Sequence, residues 1–126
     1  MNPEVEQSVK ELQRCFPNAE LVVRPVDDGG AVVTIDPIDL GPSYTPRQTW
    51  MKFAIGFQYP HADIYPLFIS ADVTRVDGQP HGEGISESSF DGDSALQLSR
   101  RSNRLNPAVD TAALKVNKVI QWFQHL

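Results

Sequence analysis

The fold depends on residues 95–111, which read Ala-Leu-Gln-Leu-Ser-Arg-Arg-Ser-Asn-Arg-Leu-Asn-Pro-Ala-Val-Asp-Thr. A short apolar run leads into a dense basic turn, and Asn106-Pro107 then interrupts the chain. Asp110 offers a side chain that can cap a helix. The residues that follow predict this helix, because apolar side chains recur at helical spacing: Val116, Val119, Ile120 and Phe123.

The composition indicates a single domain that spans residues 1–126. Hydrophobic residues make up 40% of the chain, which is enough to build one core. The formal net charge is −5, which disfavours broad nucleic-acid binding. No apolar run approaches the roughly 20 residues that cross a bilayer, so we expect no membrane contact.

The compartment is predicted from the N-terminus and from the cysteine count. Residues 1–6 are acidic and lack the apolar stretch of a signal peptide. The one cysteine, Cys15, cannot form an internal disulfide, which is typical of a reducing compartment. We therefore expect a cytoplasmic protein, and we expect it to need no cofactor.

The order of predicted elements gives an α+β fold. Asn2-Pro3 predicts the start of an N-terminal amphipathic helix, and Pro17-Asn18 predicts its end. Alternating and β-branched stretches predict a four-stranded antiparallel meander. Proline-rich residues 37–49 favour an irregular connection, and the polar residues 74–94 favour a long loop before the C-terminal helix. The four predicted strands are 19–24, 31–36, 50–57 and 67–73.

Three motifs in this order carry a resemblance to a known family. The aromatic-proline run from Tyr59-Pro60 to Tyr65-Pro66 precedes the fourth strand, and Gln79-Pro80-His81-Gly82 follows it. Leu105-Asn106-Pro107 then opens the last helix. Together they resemble the ubiquitin-conjugating-enzyme (E2, or UBC) fold, most closely its divergent bacterial members, and the related RWD domains.

The resemblance places Gln97 at the position of the catalytic cysteine. His81 lies about where the family has a histidine-proline-asparagine turn, so His81 and Gln97 together would be the remnant of an active site. A conjugating enzyme carries its modifier as a thioester and needs a thiolate, which glutamine cannot supply. The resemblance therefore implies a noncatalytic E2-like binding or scaffold domain in a bacterial ubiquitin-like conjugation system, some of which are associated with anti-phage defence.

Two alternatives remain open at this stage. The chain could be an active E2-like enzyme with a displaced nucleophile, for which Cys15 is the only cysteine available. It could also be an RWD-type interaction domain with no modifier. The partners implied by the first interpretation are a ubiquitin-like protein, an E1-like activating enzyme, or both. A structural cysteine at the end of the first helix and a surface or structural histidine at position 81 are the simpler interpretations.

The basic turn is the candidate partner-binding surface. Arg100, Arg101 and Arg104 form the only basic cluster of an acidic chain. They are either a solvated turn or a contact for a carboxylate, such as the C-terminal tail of a modifier or an acidic partner. Trp122 falls off the apolar stripe of the last helix, so it is a candidate interface residue if its side chain faces outward.

The remaining polar motifs favour structural roles. His61-Ala62-Asp63, with His81 or Asp77, could form a metal site, but the spacing is not diagnostic and we predict no metal. Ser99 and Ser102 are expected to form turns rather than to act as nucleophiles, because no histidine lies near them in the sequence.

Overall fold

The computed structural model describes all residues, 1–126. The predicted N-terminal helix is confirmed as α1, Pro3–Cys15. The Asn2 side chain caps it by accepting a hydrogen bond from the Val5 N–H at 2.9 Å. Its buried face consists of Val5, Ser8, Val9 and Leu12.

Eight strands follow α1. They are β1 (Glu20–Pro25), β2 (Ala31–Asp39), β3 (Tyr44–Thr45), β4 (Gln48–Ile55), β5 (Leu67–Ser70), β6 (Thr74–Arg75), β7 (Ile85–Phe90) and β8 (Asp93–Leu98). Six of them form an antiparallel sheet in the order β1-β2-β4-β5-β8-β7, and β3 pairs with β6 in a separate two-stranded sheet. The α+β class is therefore confirmed.

The prediction of a four-stranded meander followed by a loop over residues 74–94 is wrong. That segment contains β6, β7 and the start of β8, and the hairpin β7–β8 adds two strands to the sheet. β7 reads Ile-Ser-Glu-Ser-Ser-Phe, and four of its six residues are exposed polar side chains, so it lacks the apolar alternation of a core strand. The sequence signal for this hairpin was the Asp91-Gly92 pair, which is typical of tight hairpin turns. Both residues have the positive φ that such turns require, 52° and 87°.

The prediction of an irregular connection over residues 37–49 is also wrong in part. β2 continues through Pro37 to Asp39, and a register shift between Ile35 and Ile38 accommodates the proline. Proline has no N–H to donate to a neighbouring strand. A bulge can hold a proline within a strand, because the extra residue of a bulge does not take part in the strand pairing. At the other end of the meander, β5 stops at Ser70 rather than at Val73.

The C-terminal helix α2 spans Ala112–Gln124. Its cap is Thr111, whose hydroxyl accepts the Leu114 N–H at 3.2 Å, and not Asp110 as predicted. The Asp110 carboxylate instead accepts the Asn106 N–H at 2.7 Å, which closes the turn that precedes the helix. Either side chain can cap a helix, and the preceding turn has already engaged Asp110.

One core joins α1, α2 and one face of the six-stranded sheet. It contains 24 buried hydrophobic residues, among them Leu12 of α1, Phe53 of β4 and Phe123 of α2. The two helices also contact each other. Because side chains alternate along a strand, the residues between the buried ones face the opposite side, which we call the open face.

The tip of the β7–β8 hairpin bends across the open face. Asp91 at the tip pairs with Arg24 of β1 at 2.5 Å, and Asp93 pairs with Lys52 of β4 at 2.6 Å. Phe90 stacks on Phe68 of β5, with ring centroids 4.4 Å apart. The hairpin is therefore attached to the sheet by side chains as well as by its strand pairing.

Candidate functional site: a basic groove beside the last helix

The residues of the predicted basic turn line a groove of about 650 Å³ against α2. One wall is the turn itself, residues 100–104, and the other is the exposed flank of α2. The side chains that carry its positive charge are Arg100, Arg101, Arg104, Lys115 and Lys118. Asp110 is the only carboxylate among the lining residues, so the groove is basic in an acidic protein.

The three arginines are exposed and have no carboxylate partner. None of the ion pairs of the protein includes Arg100, Arg101 or Arg104. By contrast, Lys115 pairs with Asp63 and Lys118 with Asp110. The guanidinium groups are therefore the charges of the groove that are free to bind an anion.

Aromatic rings orient two of these arginines. The Arg101 guanidinium carbon lies 4.0 Å from the centroid of the Tyr65 ring, and that of Arg100 lies 5.8 Å from the Trp122 ring. Stacking on an aromatic face leaves the N–H groups at the guanidinium edge available for a bidentate contact. Arg104, the third arginine, has no aromatic ring beside it and adopts a positive φ of 54°.

A partly buried network holds the basic turn against α2. The Asp63 carboxylate accepts the Ser102 N–H at 2.7 Å and the Ser102 hydroxyl at 2.9 Å. Lys115 donates to the other groups of this network, namely Asp63 at 3.1 Å, Ser102 at 3.1 Å and the Arg100 carbonyl at 2.6 Å. The ammonium group of Lys115 thus fixes the backbone between two of the arginines.

The network also sets the charge of Asp63. Burial alone would raise the pKa of this carboxyl, but the hydrogen bonds from Ser102 and Lys115 and the charge of Lys115 outweigh it and lower the pKa below its ordinary value. Asp63 therefore stays ionised and balances Lys115, whose side chain is only 7% exposed.

Trp122, predicted as a partner-binding residue, lines the groove together with the three arginines. It is half-buried, with Arg100 over its ring and Gly84 against it. A Cβ added at Gly84 would lie 3.1 Å from two atoms of the indole. The loop that precedes β7 therefore positions the tryptophan.

We expect Gly84→Ala to lower the free energy of unfolding by about 2 kcal/mol, because the residue has a φ of +84° and its new methyl group would press on the indole. Chemical denaturation followed by tryptophan fluorescence would measure the loss. Gly82→Ala is the matched control, since a Cβ there meets nothing within 4 Å. Equal effects of the two substitutions would contradict this role for Gly84.

The structure does not bring His81 and Gln97 together. Gln97 lies in β8 between the buried residues Leu96 and Leu98, so its side chain faces the open face, where it donates to the Ser99 hydroxyl at 3.1 Å. His81 lies on the side of the helices, within 6.1 Å of the Phe123 ring centroid. The predicted remnant site is thus divided between two faces of the sheet.

His81 has a structural environment. Its Nε2 is 2.8 Å from the Val73 carbonyl, so this nitrogen carries the proton. Its ring stacks with Tyr44 at a centroid distance of 6.2 Å. These contacts hold the loop before β7 against β3 and against the residue that precedes β6.

Cys15 is exposed at the end of α1, outside the groove. Its nearest polar partner is the Asn117 amide, at 3.5 Å from the sulfur. Asn117 is two residues from Lys115 and five from Trp122, spacings that place it on the opposite flank of α2. The thiol and the arginines are therefore not parts of one site.

The residues considered for a metal site do not converge. Asp63 is engaged by Ser102 and Lys115, while Asp77 pairs with Arg75 at 2.7 Å, and the pKa of Asp77 is lowered to about 2 by that contact. His61 is exposed and has no hydrogen bond from its ring. No group of three or more His, Cys, Asp and Glu side chains is arranged to hold a metal ion.

Sequence reasoning missed Tyr65 and Lys115. Tyr65 belongs to the aromatic-proline run, and nothing in that run indicates contact with Arg101. Lys115 carried a weak signal, because it lies four residues before Val119 in an otherwise apolar stripe, where an isolated charge needs a partner. Ser102, predicted to form a turn, does so by bonding Asp63.

Comparisons with known proteins give no relative from which to transfer a role. No known protein family matches the chain, and neither a curated protein nor a solved structure matches it. In addition, no helix here has both the length and the apolar character needed to cross a membrane.

Proposed function

We propose that this chain is a noncatalytic E2-like binding domain that docks the C-terminal tail of a ubiquitin-like protein in the basic groove. Its setting would be a cytoplasmic bacterial conjugation system, of the kind that includes anti-phage defence. The observation that carries the proposal is the set of three unpaired arginines at one groove, two of them placed over aromatic rings.

The chemistry of the groove suits a carboxylate at the end of an extended segment. Guanidinium groups bind carboxylates through two parallel hydrogen bonds, and binding is tighter when the groups are already held in place, because less freedom is lost. The groove volume, about 650 Å³, is within the range of sites that enclose a substantial part of a ligand. A C-terminal tail presents one carboxylate at its end, and any acidic side chains along it add others.

Two further observations support a noncatalytic role. Gln97 has no nucleophile, and its amide already bonds Ser99. The only thiol lies on the other flank of α2 from the arginines. A tail bound at the arginines would therefore not reach a group able to form a thioester.

We expect the combined substitution of Arg100, Arg101 and Arg104 by alanine to weaken binding of the ubiquitin-like protein at least a hundredfold. The reason is that each charge-assisted contact contributes about 1.5–3 kcal/mol. The measurement is calorimetric titration with the ubiquitin-like protein recovered from native lysate with the tagged chain. Lys10→Ala combined with Arg14→Ala is the control, because those cations lie on α1, away from the groove.

The tail itself can be tested separately. Amidation of the C-terminus of the ubiquitin-like protein removes the carboxylate, and we expect a loss of at least tenfold in affinity for the unchanged domain. Binding that is indifferent both to amidation and to the arginines would refute the proposal.

Recovery of partners from native lysate with the tagged chain, repeated with ATP and analysed by intact mass, distinguishes this proposal from the active-enzyme and RWD-type alternatives. A mass increment of one small protein that disappears with reductant, and is absent from Cys15→Ala, would identify an active enzyme with a displaced nucleophile. Recovery of an E1-like enzyme without an adduct would make the activating enzyme the docking partner. Recovery of neither would favour an RWD-type interaction domain.

A further inference from the structure

β7 forms an open edge of the six-stranded sheet. It pairs only with β8, and its central residues are exposed. The Ser99 N–H donates to the Gly84 carbonyl at 2.7 Å. This bond shows which residues of the hairpin form hydrogen-bonded pairs and which form non-hydrogen-bonded pairs. In an antiparallel ladder, even-numbered residues of β7 then bond β8, while Ile85, Glu87 and Ser89 direct their N–H and C=O groups outward.

The two edges of the sheet differ in how they are protected. β1 carries Glu20, Arg24 and a terminal Pro25, and charges and proline are the usual means by which an edge strand is kept from pairing. β7 carries one charge, Glu87, but no lysine, arginine or proline, and it pairs with β8 without a register shift. Its outward backbone groups have no partner among the hydrogen bonds of the protein. β7 is therefore an unprotected edge that can accept another strand.

We propose that the occupant of this edge is β7 of a second copy, paired antiparallel about a two-fold axis. Such an axis must be perpendicular to the sheet, so facing residues direct their side chains to the same face. Two facing residues are therefore both even-numbered or both odd-numbered. The two registers that pair most of the strand are centred on Glu87 and on Ser88. Centring on Glu87 would place two glutamates directly opposite each other, which is unfavourable.

The strand sequence favours the register centred on Ser88. In this register Ser88 faces Ser88 of the partner copy, and each Glu87 faces Ser89, which can donate a hydrogen bond to the carboxylate. β7 is thus complementary to itself in hydrogen bonding, and this register keeps the two glutamates from facing each other directly. The result is one continuous sheet across both copies, and it does not depend on the proposed function of the groove.

The pairing is short, so the dimer is expected to be weak and to depend on concentration. Sedimentation velocity over a hundredfold range of protein concentration should show a shift from monomer to dimer. Added salt should not weaken it, because the strand carries one charge and each copy is net negative. A dimer held by the basic groove against acidic residues would dissociate in salt, and that outcome would overturn the proposal.

Cross-linking tests the register directly. Across a two-fold axis at Ser88, the two Cα atoms of this non-hydrogen-bonded pair lie about 4.5 Å apart, a separation that a disulfide can bridge. We expect Ser88→Cys, in a Cys15→Ala background, to oxidise to a covalent dimer. Glu87→Cys is the matched control, because its copies are diagonal, about 7–8 Å apart, and should remain largely unlinked.

Each outcome decides the proposal. Rapid linkage at 88 with little at 87 supports it, as does loss of the dimer in Ser88→Lys, which would oppose two like charges. Linkage through position 87, no linkage at either position, or a monomer at every concentration overturns it. If the edge instead accepts a strand of a different protein, the purified chain would remain a monomer at every concentration.

Discussion

Replacing Phe123 by alanine is expected to lower the free energy of unfolding by about 4 kcal/mol. The side chain is fully buried, and its ring stacks on Tyr44 with centroids 4.2 Å apart. Tyr44 lies in β3 and also donates its hydroxyl to the Phe123 carbonyl at 2.6 Å. Loss of the ring would leave a cavity where α2, β3 and the His81 loop meet.

Chemical denaturation of the variant and of Tyr44→Phe would measure this effect. Tyr44→Phe keeps the stack and removes only the hydroxyl hydrogen bond, so we expect a loss of about 1 kcal/mol. A loss below about 1.5 kcal/mol for Phe123→Ala would mean that the cavity collapses at little cost, contrary to our view of this contact. The ratio of the two losses separates packing from hydrogen bonding.

The elements predicted best are those that bury one face. α1 and α2 carry regular apolar stripes, and the hydrophobic segments of β2 and β4 alternate, so local sequence contained the information. β7 could not be found in this way, because its side chains are mostly exposed and it is defined by backbone pairing with β8. Pairing between strands is a tertiary property that periodicity does not encode.

The sequence predicted the part of the candidate site that lies within one short segment. It did not predict the part that is assembled from distant segments. Three arginines within five residues are visible in any reading of the sequence. The groove exists only because Asp63, 39 residues before Ser102 and 52 before Lys115, holds the turn against α2. No pattern in the sequence connects residues so far apart.

The resemblance to conjugating enzymes remains a proposal with a clear difficulty. The order of helix, antiparallel strands and helix is present, but the strand β8 carries Gln97 toward the open face and away from His81. An active site assembled from these two positions would need them on one side of the sheet. The geometry thus supports binding at the groove more than a residual chemistry at Gln97.

Replacing Asp63 by alanine is expected to lower the free energy of unfolding by about 3 kcal/mol and to release the basic turn from α2. The cost is large because the substitution leaves the Lys115 ammonium group buried without a counter-charge. The backbone of Arg100 and Arg101 would then no longer be held in place. In the native chain Lys115 bonds the Arg100 carbonyl, and Asp63 bonds Ser102. We therefore expect weaker binding at the groove as well as lower stability.

A double substitution separates the charge from the packing. Asp63→Asn combined with Lys115→Met removes both charges at similar volume, and replacement of a buried ion pair by apolar groups is often neutral. We expect the double variant to recover at least half of the stability lost in Asp63→Asn alone. No recovery would show that the hydrogen bonds of Ser102, rather than the charge of Lys115, make the network stable.

The pH dependence of Asp63→Asn provides the second readout. The pKa of Asp63 is lowered in the folded state, because Ser102 and Lys115 outweigh the opposing effect of burial. A carboxyl with a lowered folded pKa stabilises the protein above its unfolded pKa, about 3.9, and loses that contribution as the pH falls through the folded pKa. The difference in stability between the native chain and Asp63→Asn should therefore be constant above about pH 5 and shrink below about pH 4. A difference that persists undiminished in acid would mean that the carboxylate charge does not hold the turn, and that the arginines are positioned by some other contact.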